Sequence, residues 1–144
     1  LLKKDWGIEA DIWSCPSFTL LARDGVATAR WNLLHPTAEP RKPYVQQCLE
    51  NTEGPVIAST DYVRAFADQI RPYVSRPYKV LGTDGFGRSD TREKLRHFFE
   101  VDRYWVTTAS LAALAEEEKL DPAKVAEAIK KYGIDVDKPN PLTV

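Results

Sequence analysis

The sequence predicts an α/β domain with a mostly parallel sheet flanked by helices, and three observations carry that reading. Short apolar runs at Val56 to Ala58 and Tyr78 to Leu81 alternate with stretches of helical spacing, an order that favours parallel pairing. From Val80 to Asp102 a strand end, a glycine-rich polar loop and a capped amphipathic helix follow in direct succession. The composition is that of an ordinary globular domain, with 144 residues of which 43% are hydrophobic and 28% charged, enough chain to bury a core.

Leu1-Leu2-Lys3-Lys4-Asp5-Trp6-Gly7 reads as the last turn of a helix, with lysines near its end and Gly7 as its cap. Ile8 to Trp13 alternates apolar and polar residues and is expected to form a half-covered strand. Pro16 and Ser17 open a helical stretch through Phe18, Leu21 and Ala22, with an interruption expected at Asp24-Gly25 and resumption towards Trp31 and Leu34. His35-Pro36 ends it, because a proline disfavours helical geometry in the residue before it. Pro36, Pro40 and Pro43 mark the following segment as a loop, and a short helix is expected from Tyr44 to Leu49.

The turn residues Asn51-Thr52-Glu53-Gly54-Pro55 lead into Val56-Ile57-Ala58, an apolar run suited to an internal strand buried on both faces. Ser59, Thr60 and Asp61 offer capping oxygens to a helix on which Val63, Phe66, Ala67 and Ile70 recur. Pro72 closes that helix, and Arg76-Pro77 introduces the strand Tyr78 to Leu81. Further on, Asp90 and Glu93 have the spacing of a capping box, with Leu95, Phe98 and Phe99 as the buried stripe. A longer helix from about Arg103 to Lys119 carries Leu111, Leu114 and Ala115, with Glu116-Glu117-Glu118 as a solvated face. In the last helix Asp121 caps, Pro122 takes the first helical position, Val125, Ala128, Ile129 and Tyr132 face inward, and Gly133 stops it.

Charge excludes several partners. Twenty basic and 21 acidic residues nearly cancel, so no long-range field draws the domain to nucleic acid or anionic lipid. No apolar stretch has the length needed to cross a bilayer. Cys15 and Cys48 are the only cysteines and read as reduced, packed thiols of a cytosolic protein.

The first functional candidate is the loop after Leu81. Gly82, Thr83, Asp84, Gly85, Phe86, Gly87, Arg88 and Ser89, with His97 one short helix further on, are the candidate residues of an anion-binding or interface site. A loop at the carboxyl end of a strand can offer backbone N–H groups to phosphate. Its spacing is G-x-x-G-x-G, however, neither the dinucleotide fingerprint nor a phosphate loop, and turn geometry is the competing use of its glycines. Arg88, Arg92, Lys94, Arg96 and Arg103 suggest an anion patch, while five acidic residues between Asp84 and Asp102 suggest a salt-bridged surface or subunit contact. His35 and His97 are the only histidines, and Cys15, His35, Cys48 and His97 lack the paired spacings of a zinc site. No catalytic, cofactor-binding or metal-ligating residue is assigned.

The run Val80 to Asp102, with Arg30-Trp31-Asn32-Leu33-Leu34-His35-Pro36, Ala58-Ser59-Thr60-Asp61-Tyr62 and Asp137-Lys138-Pro139-Asn140-Pro141, resembles one family over nearly the whole chain. It is similar to the C-terminal domain of the homodimeric pyruvate dehydrogenase first, decarboxylating component, a transketolase-like thiamine-diphosphate enzyme. The resemblance implies a three-layer transketolase C-terminal-domain-like fold. Asp84, Phe86, Gly87 and Ser89 match an Asp-x-Phe-Gly-x-Ser stretch that lies away from the thiamine chemistry in that family, so the match assigns them no catalytic step.

The parent chemistry implied is decarboxylation of pyruvate on thiamine diphosphate held with Mg2+, then reductive acetylation of lipoyl groups, feeding acetyl-CoA synthesis. The family's magnesium and diphosphate ligands and its activating glutamate lie in two other domains. Thr83-Asp84-Gly85 lacks the first glycine of that motif, and the next asparagine downstream is Asn140. The chain contains no methionine, and its first helix has an end but no start. Residues 1–144 are therefore expected to be one domain, a fragment lacking its first strand and the two upstream cofactor-binding domains, inactive alone and without a cofactor. The partners implied are the remaining domains of the parent chain, the second subunit of a homodimer and the dihydrolipoyl acetyltransferase core, in the cytoplasm. Two alternatives stand: a free-standing regulatory module that binds a phosphorylated ligand through the glycine loop, and a transketolase-like enzyme with another keto substrate.

Overall fold

Two short parallel strands organise the molecule, which is described over residues 1–144 by a computed structural model. In chain order the elements are α1 (Leu2–Trp6), α2 (Phe18–Leu34), α3 (Tyr44–Leu49), β1 (Val56–Ser59), α4 (Arg64–Asp68), a 3-10 turn (Arg71–Tyr73), β2 (Tyr78–Leu81), α5 (Arg92–Phe98), α6 (Arg103–Glu116) and α7 (Pro122–Lys131). Val56 lies opposite Tyr78 and Ser59 opposite Leu81.

Side chains alternate across a strand, so Val56, Ala58, Tyr78 and Val80 share one face. They pack with Ala22 of α2, Val45 of α3, and Ile70 and Val74 after α4, which with Phe18, Leu21, Leu49 and Tyr73 make the main core. The other face meets α6: Lys79 forms an ion pair with Glu116, and α6 packs on both strands and on α7. Leu111 of α6 and Ala128 of α7 are fully buried. Helices thus lie on both sides of a parallel pair, the α/β layering read from the sequence.

Several local expectations are corrected. Ile8 to Trp13 forms no strand, and Ile12 is 95% exposed and Trp13 56%; alternation becomes a strand only where a neighbour accepts its hydrogen bonds. Helix α2 runs unbroken through Asp24-Gly25. Gly25 is there for close approach, since a Cβ would lie 2.2 Å from the Tyr73 ring. Asp24 instead accepts the Tyr44 N–H at 2.6 Å and fixes the start of α3. Strand β1 is half-buried rather than buried on both faces.

Ser59 belongs to β1, Thr60 Oγ1 accepts the N–H of Tyr62, and α4 begins after Val63 with no side-chain cap. The helix expected to run on to Ile70 stops at Asp68 and is followed by the 3-10 turn containing Pro72. The cap of α5 is Thr91, which accepts the Lys94 N–H, while Asp90 accepts the N–H of Thr91. Helix α6 ends at Glu116, and Glu118 takes a φ of +58°. The last helix matches its local signals: Asp121 accepts the Ala123 N–H at 2.8 Å. Cys15 and Cys48 are free, half-buried thiols, and burial pushes the Cys15 thiol up.

Helix α1 is latched to α7. The Trp6 indole N–H donates to Tyr132 OH at 2.7 Å, that hydroxyl donates to Asp5 Oδ2 at 3.0 Å, and Lys131 lies 3.3 Å from Asp5. The Tyr132 hydroxyl, aided by Lys131, holds the Asp5 carboxyl below its ordinary 3.8. A carboxyl depressed in the folded state adds stability above its unfolded value and loses it as pH falls through the folded one. The indole N–H resonance of Trp6 is therefore expected to shift as pH drops below about 4, and Tyr132→Phe should abolish that shift.

Candidate functional site

The glycine loop leaves the carboxyl end of β2 beside the loop that leaves β1, the edge where open α/β sheets place their sites. The two loops are laced together. Thr83 N–H donates to the Tyr62 carbonyl at 2.9 Å. Asp84 Oδ1 accepts the Arg64 N–H at 3.1 Å, and its Oδ2 lies 2.6 Å from Arg64 Nε. Gly82 is buried at this junction. Gly85 has a φ of +104°, and a Cβ there would lie 2.2 Å from the Pro141 carbonyl oxygen, so the chain's last residues press on the loop from behind.

Beyond this anchored base the loop faces solvent. Phe86 is 74% exposed, and Gly87, Arg88 and Ser89 are exposed with it. The Arg88 guanidinium lies over the Phe98 ring, 4.2 Å from its centroid. Arg88, Ser89, Asp90, Lys94, Leu95 and Phe98 line a cleft of about 290 Å³ between the loop and α5.

His97 is half-buried at the end of α5, between Leu95 and Phe98 in sequence, and is not among the residues that line that cleft. Its Nδ1 lies 2.8 Å from Asp102 Oδ2, while Asp102 Oδ1 accepts the N–H groups of Tyr104 and Trp105 and so caps α6. The dyad ties two helices together, and it bonds to no hydroxyl or thiol that would serve as a nucleophile. His35 stacks on Trp31 at 4.2 Å, with Arg41 on the ring 3.7 Å away, far along the chain from this loop.

Two contacts of this region escaped sequence reasoning. Lys138, only 13% exposed in its side chain, pairs with Glu100 at 2.9 Å and lies near the Phe98 and Trp105 rings. Pro141 is buried against Gly85. No local pattern announces either contact, because both join segments more than thirty residues apart.

The carboxylates of the region are largely committed. Asp84 serves Arg64, Glu100 serves Lys138, Asp102 serves His97 and the α6 backbone, and Asp90 serves the Thr91 N–H with Lys94 3.8 Å away. Arg88, Arg92 and Arg96 are exposed and form no ion pair. The charge balance of the run therefore does not neutralise its surface.

These residues do not fit magnesium and a diphosphate. The single carboxylate of the loop is occupied by Arg64, and no three His, Cys, Asp or Glu side chains converge anywhere in the chain. A hard cation needs an array of oxygen ligands.

Residues 1–102 match the family described as the transketolase-like TK C-terminal domain. The chain is 69% identical over all 144 of its residues to the pyruvate dehydrogenase E1 component of Cupriavidus necator. It is 62% identical over 143 residues, 99% of the chain, to that of Pseudomonas aeruginosa. Against that of Escherichia coli K12 it is 53% identical over 142 residues, 98% of the chain. Each match spans 16% of the relative's own length.

Proposed function

The chain belongs to the transketolase-like C-terminal domain family, and from that premise we propose that it is the non-catalytic C-terminal domain of a pyruvate dehydrogenase E1 component. The observation that carries this reading is the 69% identity to such a component across every residue of the chain. The site chemistry agrees with it, since Asp84 and Asp102 are both engaged in holding the fold.

The parent subunit would decarboxylate pyruvate on thiamine diphosphate and reductively acetylate lipoyl groups in the cytoplasm. The cofactor and Mg2+ would be held by the two domains that precede this one. No helix is long and apolar enough to cross a membrane. This domain's task is packing: against the remaining domains of the parent chain, against the second subunit of a homodimer, and against the dihydrolipoyl acetyltransferase core. Ile12 and Trp13, at 95% and 56% exposure, support an apolar surface that the rest of the subunit covers.

The test is isothermal titration calorimetry with thiamine diphosphate and Mg2+. Residues 1–144 alone should give no binding heat, and the longer polypeptide should bind and decarboxylate pyruvate. Micromolar binding by residues 1–144 alone contradicts the proposal.

A further inference from the structure

We propose that the cleft between the Gly82–Ser89 loop and α5 is a docking site for an acidic polypeptide segment that carries an apolar side chain. The cleft has an apolar floor, Leu95 and Phe98, and a rim with two cations, Arg88 and Lys94, against one carboxylate, Asp90, with Ser89 beside them. Its charge is unspent, because Arg88 forms no ion pair and Lys94 has only Asp90 at 3.8 Å. Arg92 and Arg96, four residues apart on α5 and so on one face of it, extend the exposed positive surface.

Preorganisation favours recognition here. Asp84 and Arg64 clamp the base of the loop and Pro141 supports Gly85, while Arg88 rests on the Phe98 ring. A guanidinium already held on an aromatic face loses less freedom when it binds a carboxylate. Phe86, two residues before Arg88 and 74% exposed, adds an aromatic side chain of the kind enriched at interfaces.

The chemistry of the occupant follows. A free phosphate would use Arg88 and Lys94 but leave Phe98 and Leu95 without a role. Nucleic acid is disfavoured by a formal net charge of −1 over the whole chain. A carboxylate-rich segment with one apolar residue uses both the rim and the floor.

Fluorescence anisotropy with a fluorescein-labelled, glutamate-rich peptide containing one phenylalanine tests the proposal on the full-length polypeptide. Saturable binding is expected, about tenfold tighter than for a twin with glutamine in place of glutamate. The double variant Arg88→Glu, Lys94→Glu should lose about tenfold in affinity. The double variant Lys124→Glu, Lys130→Glu on α7 changes net charge equally and should stay within about twofold. All four positions are exposed, and unchanged unfolding midpoints confirm that the variants fold. Equal binding of the two peptides, equal losses in the two variants, or no saturation at millimolar peptide overturns the proposal. Displacement by millimolar inorganic phosphate at matched ionic strength overturns it too, in favour of a small-anion site.

Discussion

Replacing Leu111 with alanine should lower the unfolding free energy by about 2–5 kcal/mol. Leu111 is the largest side chain in the fully buried class and sits in α6, between the parallel strands and α7. Its neighbours cannot easily close the cavity. Thr107 and Ser110 are buried with it, and their hydroxyls are tied back to the Arg103 and Val106 carbonyls at 2.7 and 2.8 Å. Those bonds satisfy the hydroxyls within α6 and hold both side chains against the helix. The loss should reach the candidate site, because Asp102 caps α6 and Trp105 lies in its first turn. Urea denaturation checks the prediction, with Leu111→Met as a volume-conserving control expected to cost less than about 1.5 kcal/mol. A loss below about 1 kcal/mol for the alanine variant would mean that Leu111 does not hold the packing of α6.

Replacing Gly85 with alanine should cost about 2–5 kcal/mol, combining a left-handed backbone with an overpacked contact. The backbone is at φ +104°, and the new methyl group would meet the Pro141 carbonyl oxygen at 2.2 Å. Backbone cannot rotate away as a side chain can, so the loop and the tail must part. Faster proteolytic cleavage after Val136 is the accompanying expectation, since Lys138 and Pro141 would lose their seat. Gly87 is the internal control: it has open space around its Cβ position, and Gly87→Ala should stay within about 0.5 kcal/mol. Similar effects at both glycines would contradict the tail's role in holding the loop.

The contrast between these two glycines marks where sequence reading stops. Both stand in the same G-x-x-G-x-G pattern, yet only one is pinned, by a residue fifty-odd positions later. Elements whose determinants are local were legible. Asp121, Pro122 and Gly133 bound α7, and Pro77 precedes β2. Where neighbouring residues compete for one role the reading slipped by a position, as at Asp90 and Thr91, because the first residue's side chain bonds the second's N–H and leaves the second to cap.

Non-local determinants were not legible. The alternation at Ile8 to Trp13 describes a surface that a neighbour would cover, and β1 and β2 pair only with each other. Gly25 reads as a helix break until the Tyr73 ring is placed against it. The place of the glycine loop beyond the carboxyl end of β2 was legible, but a count of acidic and basic residues does not say which pairs form. Asp84 is used by Arg64 and Glu100 by Lys138, both outside the counted run, and three arginines are left exposed.

Amide hydrogen exchange at Ile8 to Trp13 tests the central claim most directly, that this domain is one part of a larger subunit which covers this exposed segment. Exchange in residues 1–144 alone should be close to that of an unstructured chain, and in the longer polypeptide slower by about a hundredfold or more. Equally fast exchange in both would contradict the account, because the exposed alternating segment would then have no partner in the subunit.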